Sequence, residues 1–200
     1  KITEPVHKGE VLTATVADLT YEGNGVVKVD NYPVFVPYVL PGEQAEIKIT
    51  KVTAKFAWGE LQQLLTKSPD RVEINDARYL KTGIAPLGIL SYPAQLKFKQ
   101  HQIEELLKKA HLDELKVAPT MGMDQPYHYR NKAQVPVKYM RGQLQTGFYK
   151  RGSHDLVPIE DFYIQDPKID QAILVANEFL HKEQLIVYTE DRHHQQQREY

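Results

Sequence analysis

Apolar and polar positions alternate with a period of two through much of the first third of the chain. Between residues 44 and 52, Ala45, Ile47 and Ile49 alternate with Glu46, Lys48 and Thr50, the pattern of a strand with one buried and one solvated face. Residues 11–19 alternate more loosely. Val26-Val27-Lys28-Val29 reads as a short strand, residues 32–36 as a third, and residues 58–65 as a fifth. Turn chemistry separates them: Tyr21-Glu22-Gly23-Asn24-Gly25, Asp30-Asn31 and Pro41-Gly42. Five short strands with Gly-rich turns predict a small closed barrel of the OB type over residues 1–67, with a sandwich as the alternative.

The pattern changes after Ser68-Pro69-Asp70, a turn-forming stretch that marks a domain boundary. Residues 77–90 hold two Gly and a Pro and predict an irregular loop. A helix follows, with Pro93 suited to its first turn and Ser91 to its cap. Leu96, Ile103, Leu106, Leu107 and Ala110 fall on one face of it. Residues 117–124 form a connector with room for one strand. Residues 133–139 and 144–149 predict the arms of a hairpin turning at Arg141-Gly142. Asp166-Pro167 opens a second helix, with Asp166 as cap and Ile169, Ile173, Ala176, Phe179 and Leu180 as its apolar positions. Residues 185–188 resume strand character, and the end of the chain is polar. The expected architecture is mainly β with α+β: a five-stranded barrel, then a small α+β domain over residues 68–200.

Composition narrows the chemistry. The 200 residues are 42% hydrophobic, enough for a buried core. There is no cysteine, which removes disulfides, thiolate metal sites and a cysteine nucleophile from this chain. No apolar run approaches the roughly 18–20 residues that span a bilayer, and the N-terminus lacks an apolar signal core. A monomeric cytoplasmic protein with no membrane partner is expected. The chain starts without Met and stops on a polar string, as a piece of a longer protein would.

One run departs from the acidic balance. Residues 125–154 carry six cations, no Asp or Glu, and five aromatic rings, while the rest of the chain has a formal charge of −7. Such a run suits a polyanion, and interleaved rings suit unpaired bases. The candidate RNA-binding residues are Tyr127, Tyr129, Arg130, Lys132, Lys138, Arg141, Tyr149, Lys150, Arg151 and His154. The plainer alternative is a solvated hairpin whose tyrosines pack on its neighbours. His154 stands between Ser153 and Asp155, but neighbours in an extended run point to opposite faces and do not make a triad. It reads better as an RNA contact or a packed histidine. His193-His194 lie in a polar tail and read as solvated. Glu104 and Glu105 with Lys108 and Lys109 read as ordinary helical pairing. No catalytic or metal-binding residue is predicted.

The first third of the chain resembles a TRAM domain, the small RNA-binding barrel attached to several RNA-modifying enzymes. The residues that carry the likeness are Gly23-Asn24-Gly25-Val26, Val34-Phe35-Val36-Pro37 and Leu40-Pro41-Gly42-Glu43. The remainder is similar to the central domain of bacterial uracil-5 methyltransferases that act on 23S ribosomal RNA. Here the carrying residues are Leu90-Ser91-Tyr92-Pro93-Ala94-Gln95-Leu96, Tyr129-Arg130-Asn131-Lys132-Ala133, Thr146-Gly147-Phe148-Tyr149 and Ser153-His154-Asp155-Leu156-Val157.

Many members of that family bind an iron–sulfur cluster through four cysteines in this domain. Aligned on Ser91-Tyr92, these would fall near Asp76 or Ala77, on Thr82 and Ala85, and near Phe162. None is cysteine, so the likeness implies a cluster-free protein of the Gram-positive type. Packing around Leu80, Ile84, Leu87 and Phe162 would take the cluster's place. In the family, a Cys thiolate attacks the 6-carbon of a flipped uracil, the 5-carbon takes the methyl group of S-adenosylmethionine, and the 5-proton is then removed. Nucleophile and cofactor loop belong to a C-terminal Rossmann-like domain, of which this chain has neither the Cys nor a Gly-rich strand-to-helix turn. The resemblance therefore implies the RNA-recognition portion of an S-adenosylmethionine-dependent methyltransferase forming 5-methyluridine in ribosomal RNA. Alone, this chain would be inactive and would bind no cofactor. The alternatives are a non-enzymatic RNA-binding module and an interaction scaffold.

Overall fold

A computed structural model describes residues 4–185. They form two compact units, each described by itself. The first holds residues 4–80 and 85–123, the second residues 81–84 and 124–185.

The first unit is built on six strands: β1 (Val11–Thr15), β2 (Asp18–Leu19), β3 (Gly25–Val29), β4 (Tyr32–Val36), β5 (Gln44–Val52) and β6 (Ala57–Leu64). They lie in the order β1-β5-β6-β4-β3-β2, antiparallel except for the β4–β6 pair. β1 and β2 are two halves of the first predicted strand, which bends at Val16-Ala17. One half pairs with β5 and the other with β3, so the bend curls the sheet and joins its two edges. At the bend the Val16 N–H donates to the Glu43 carbonyl and the Ala17 N–H to the Val26 carbonyl, at 2.9 and 2.8 Å. The architecture is the OB-like barrel expected, with six strands where five were counted because strand one turns a corner.

Alternation decides what is inside. Val27, Val34, Val36, Ala45, Ile47, Ile49 and Ala57 are buried together with Val6, Val16 and Val39. Gly25 lies where a Cβ would collide with the Val39 side chain. The β3–β4 turn sits at Asp30-Asn31, both with positive φ, the two-residue geometry whose twist matches the flanking strands.

A second apolar cluster, Leu40, Ile89 and Leu90, lies beneath the helix α2 (Tyr92–Lys109). Ala94 and Phe98 are the helical residues that pack on it. The apolar positions on that face of α2 divide: Leu96 and Leu107 are half-buried, whereas Ile103 is 48% and Leu106 60% exposed, and no residue of α2 is fully buried. The first turn is anchored by short-range chemistry, with the Gln95 side chain donating to the Leu90 carbonyl at 2.9 Å. Ser91 occupies the cap position without a side-chain capping bond. The connector 117–124 contains no strand. It is pinned along α2 by the Gln100 amide on the Val117 carbonyl and by the Met123 N–H on the Tyr92 hydroxyl. The expected irregular loop at 77–90 holds one turn of helix, α1 (Arg78–Lys81).

The second unit is a three-stranded antiparallel meander, β7 (Val137–Met140), β8 (Gln143–Tyr149) and β9 (Leu156–Pro158), with the helix α3 (Pro167–Lys182) packed on β8. The hairpin turns at Arg141-Gly142 as predicted, with φ values of 53° and 77°. Its first arm begins at Val137 rather than Ala133. Asp166 caps α3, its carboxylate accepting from the Lys168 N–H at 2.9 Å. Of the apolar positions assigned to α3, Ile169, Ile173 and Leu180 are half-buried, whereas Ala176 and Phe179 face solvent. The Asn177 amide instead meets the Thr146 hydroxyl at 3.2 Å. Of the strand expected at 185–188, all but Leu185 lies outside the described residues, as do His193 and His194. No described helix is long and apolar enough to cross a membrane.

Candidate nucleic-acid interface

All ten residues picked from the basic–aromatic run belong to the second unit. They fall into two groups, with Arg141 standing apart at the tip of the hairpin.

The first group lies where residues 127–130 run beside residues 163–166. His128 and Arg130 donate their N–H groups to the Tyr163 and Ile164 carbonyls at 3.0 and 2.9 Å, and the Asp166 N–H returns to the Arg130 carbonyl at 2.9 Å. A ring nitrogen of His128 lies 2.9 Å from the Gln165 carbonyl. This pairing ties the segment to the N-terminus of α3 and turns the tyrosines between the bonded residues outward. Tyr127 is 55% and Tyr129 54% exposed. Tyr127 is backed by Tyr163, ring centroids 5.9 Å apart and edge-on. Tyr163 in turn rests against Phe162, and Phe162 against Phe148 at 5.0 Å. Four rings thus run from the sheet to the surface. Burial raises the Tyr163 hydroxyl above its ordinary pKa, and Tyr127 and Tyr129 push it the same way, so it stays a neutral donor at physiological pH. Arg130 lies beside Lys132, its Nε donating to the Lys132 carbonyl at 3.1 Å.

The second group surrounds Tyr149. The Lys138 ammonium lies 5.3 Å from the Tyr149 ring centroid and donates to the His154 carbonyl at 2.6 Å. The His154 ring packs on the same Tyr149 ring, centroids 5.4 Å apart and edge-on. Lys138 and His154 are therefore held in a tie across the end of the hairpin as much as they are offered to solvent. The Lys150 N–H donates to the Asp155 carbonyl at 2.7 Å, and the Arg151 N–H to the Lys81 carbonyl at 3.0 Å. These bonds hold the tight turn that carries both cations.

None of Arg130, Lys132, Lys138, Arg141 and Lys150 forms an ion pair among the described residues. Cations of this kind beside exposed rings make a surface that can meet phosphates and stack bases. Sequence reasoning missed Tyr163. Its signal lay only in Phe162-Tyr163 standing just ahead of the Asp166 cap, and the four-ring path depends on tertiary contact.

The residues expected to replace a metal cluster are divided between the two units. Leu80 and Leu87 pack with Leu40, Ile89 and Leu90, whereas Phe162 is buried against Phe148. Thr82 is fully buried and bridges to Lys150. Among the described residues no group of three or more His, Cys, Asp or Glu side chains is placed to hold a metal ion.

An OB-like barrel is thus followed along the chain by an α+β unit whose surface gathers cations and aromatic rings. Residues 5–61 match the TRAM domain family. The chain is 54% identical over 193 residues to a protein of Lactiplantibacillus plantarum named an uncharacterized RNA methyltransferase, covering 96% of this chain and 42% of that protein. A protein of the same name from Enterococcus faecalis is 48% identical over 187 residues, covering 93% and 41%. Among solved structures, a Pyrococcus abyssi tRNA (uracil-54, C5)-methyltransferase in complex with S-adenosyl-L-homocysteine shares the fold, with a TM-score of 0.57 and 21% identity over 86% of this chain and 37% of that one. The chain carries a TRAM domain and is homologous to the corresponding part of these RNA methyltransferase relatives. It spans about two fifths of their length.

Proposed function

We propose that this chain is the RNA-recognition portion of an S-adenosylmethionine-dependent uracil-5 methyltransferase acting in the cytoplasm, as a monomer, on ribosomal RNA. In this reading residues 1–67 are the TRAM barrel and residues 68–200 the central domain, with chemistry supplied by the remainder of a longer protein. The observation that carries it is the acid-free run, whose Arg130, Lys132 and Lys150 form no ion pair among the described residues and share one unit with the exposed Tyr127 and Tyr129. The Ser91-Tyr92-Pro93 and Tyr129-Arg130-Asn131-Lys132 motifs, together with relatives named RNA methyltransferases, support the reaction class.

The residues present do not fit an S-adenosylmethionine site of the Rossmann kind. Among the described residues, parallel strand pairing is confined to β4–β6 and an isolated bridge between Arg130 and Gln165, neither of which is a strand–helix–strand unit. What these residues can do is hold RNA: cations meet phosphates, and rings stack on bases freed from a helix.

The test is a pair of double substitutions, Arg130→Ala with Lys132→Ala and Lys150→Ala with Arg151→Ala. Counterion release from single-stranded RNA gives a log–log salt slope of roughly −0.7 per contact, so each pair should weaken binding and flatten the slope by roughly 1.4. Lys108→Ala with Lys109→Ala on α2 is the control. Equal loss in the control would place the binding surface elsewhere.

A further inference from the structure

The barrel carries a second ring cluster, on its outer face. Along β4, Val34 and Val36 are buried and Phe35 points the other way. Along β6, Ala57 and Gly59 are buried and Trp58 points the other way. Phe35 is in register with Val26 on one side and Trp58 on the other, and Trp58 is in register with Lys51 beyond. Val26, Phe35, Trp58 and Lys51 therefore form a row across four neighbouring strands. Phe56, just before β6, adds a third ring. The Phe35–Phe56 and Phe35–Trp58 centroids lie 5.6 and 5.4 Å apart, tilted by 54° and 52°.

All three rings keep part of their surface open to solvent. The turn that carries Phe56 is pinned by hydrogen bonds. The Thr53 N–H and hydroxyl both donate to the Phe56 carbonyl, at 3.0 and 2.6 Å, and the Tyr32 hydroxyl closes the same turn on the Thr53 carbonyl at 2.6 Å. Exposed Lys51, Lys55 and Lys28 border the cluster, and none of them forms an ion pair among the described residues. Two carboxylates share this face: Asp18 is opposite Val26 at the far end of the row, and Glu60 stands two residues along β6 from Trp58, where it is opposite Lys48. Partly open rings bordered by ammonium groups that form no ion pair among the described residues suit unpaired bases on a phosphate backbone, because every base has a π-face and stacking tolerates any sequence.

We propose that Phe35, Phe56 and Trp58 form a stacking platform for single-stranded RNA, with Lys51 and Lys55 meeting the flanking phosphates. It rests on the reading of the chain as an RNA-binding protein, but on a different unit and on different residues.

Trp58 is the only tryptophan of the chain, so its emission reports on this face alone. An oligouridylate of roughly ten nucleotides, within the footprint of one barrel of this type, should quench Trp58 saturably, and an RNA duplex should not. Phe35→Leu should lower affinity for the labelled oligonucleotide by roughly five- to a hundredfold, whereas Phe35→Tyr, which keeps the ring, should bind as the parent does. Lys51→Ala with Lys55→Ala should flatten the salt slope by roughly 1.4. Binding seen by anisotropy with Trp58 emission unmoved would assign the rings to packing or to a protein partner and overturn the proposal. Loss of affinity in the Arg130/Lys132 and Lys150/Arg151 variants without Trp58 quenching would leave the second-unit reading standing and the platform refuted. Quenching with unchanged affinity in those variants would do the reverse. No binding at all would overturn both.

Discussion

Arg71 forks onto both carboxylate oxygens of Glu43, its Nε at 2.6 Å and a terminal nitrogen at 2.9 Å, and the same terminal nitrogen reaches the Tyr38 carbonyl at 2.9 Å. Glu43 is fully buried and also accepts from the Leu40 and Ser68 N–H groups. Every oxygen is satisfied, and the pair clamps the segment after β6 to the end of the barrel. Removing one partner leaves the other charge buried and alone. Arg71→Ala should therefore cost about 3–5 kcal/mol, seen as a lower urea midpoint for the unit containing the barrel.

The same carboxyl sets a pH dependence. Burial pushes the Glu43 pKa up, but the hydrogen bonds from Arg71, Ser68 and Leu40 outweigh it, and the folded value lies below the ordinary one. A carboxyl depressed on folding adds stability that is complete above its unfolded pKa of about 4.3 and is lost as the pH falls through the folded value. Urea midpoints should hold near neutrality and fall on acidification below about pH 4. Glu43→Gln should start lower and fall less over that range. Parallel curves for the two proteins would show that other carboxylates, such as Asp76 beside Arg78, set the slope.

Two glycines of one hairpin should respond in opposite ways. A Cβ on Gly147 would run into the Val157 carbonyl of the paired strand β9, which is backbone and has nowhere to go. Gly147→Ala should cost about 1–3 kcal/mol. Gly142 has positive φ but open space around it, and Asn tolerates that conformation, so Gly142→Asn should stay within about 0.5 kcal/mol. Thermal denaturation of the two variants side by side checks both.

Tyr127 and Tyr129 offer rings to solvent, and Tyr127 has Tyr163 behind it. Substituting either by Leu should leave the melting temperature unchanged. If the substituted ring stacks on a base, RNA affinity should fall by about 1–3 kcal/mol. Unchanged affinity in both variants would reduce this group to its cations.

Incubated with labelled S-adenosylmethionine and ribosomal RNA, this chain should leave the RNA unlabelled. Its 200 residues contain no cysteine to attack a uracil. Labelled 5-methyluridine would sink the proposed division of labour.

What the sequence determined by itself was local. Strict alternation located β5 to the residue, because a strand with one buried face needs period two. Asp30-Asn31 and Arg141-Gly142 announced turns because few residues accept positive φ. Asp166 announced the start of α3 because a short carboxylate can reach the N–H two residues on. Tertiary structure decided what depends on partners distant in sequence. The bend at Val16-Ala17 follows from one strand serving two sheet edges. The apolar face of α2 divided, with Leu96 and Leu107 half-buried and Ile103 and Leu106 exposed, because Ala94 and Phe98 are the helical residues that meet the cluster under the helix. The cations of one continuous run divided into Arg130 and Lys132 beside the ring path and Lys138 folded over Tyr149, since strand register and the 127–130 to 163–166 pairing aim each side chain. Glu43 stood in the sequence only as part of the Leu40-Pro41-Gly42-Glu43 likeness, and the fold brought Arg71 to it, because burial of a charge is a property of what surrounds it and not of the residue.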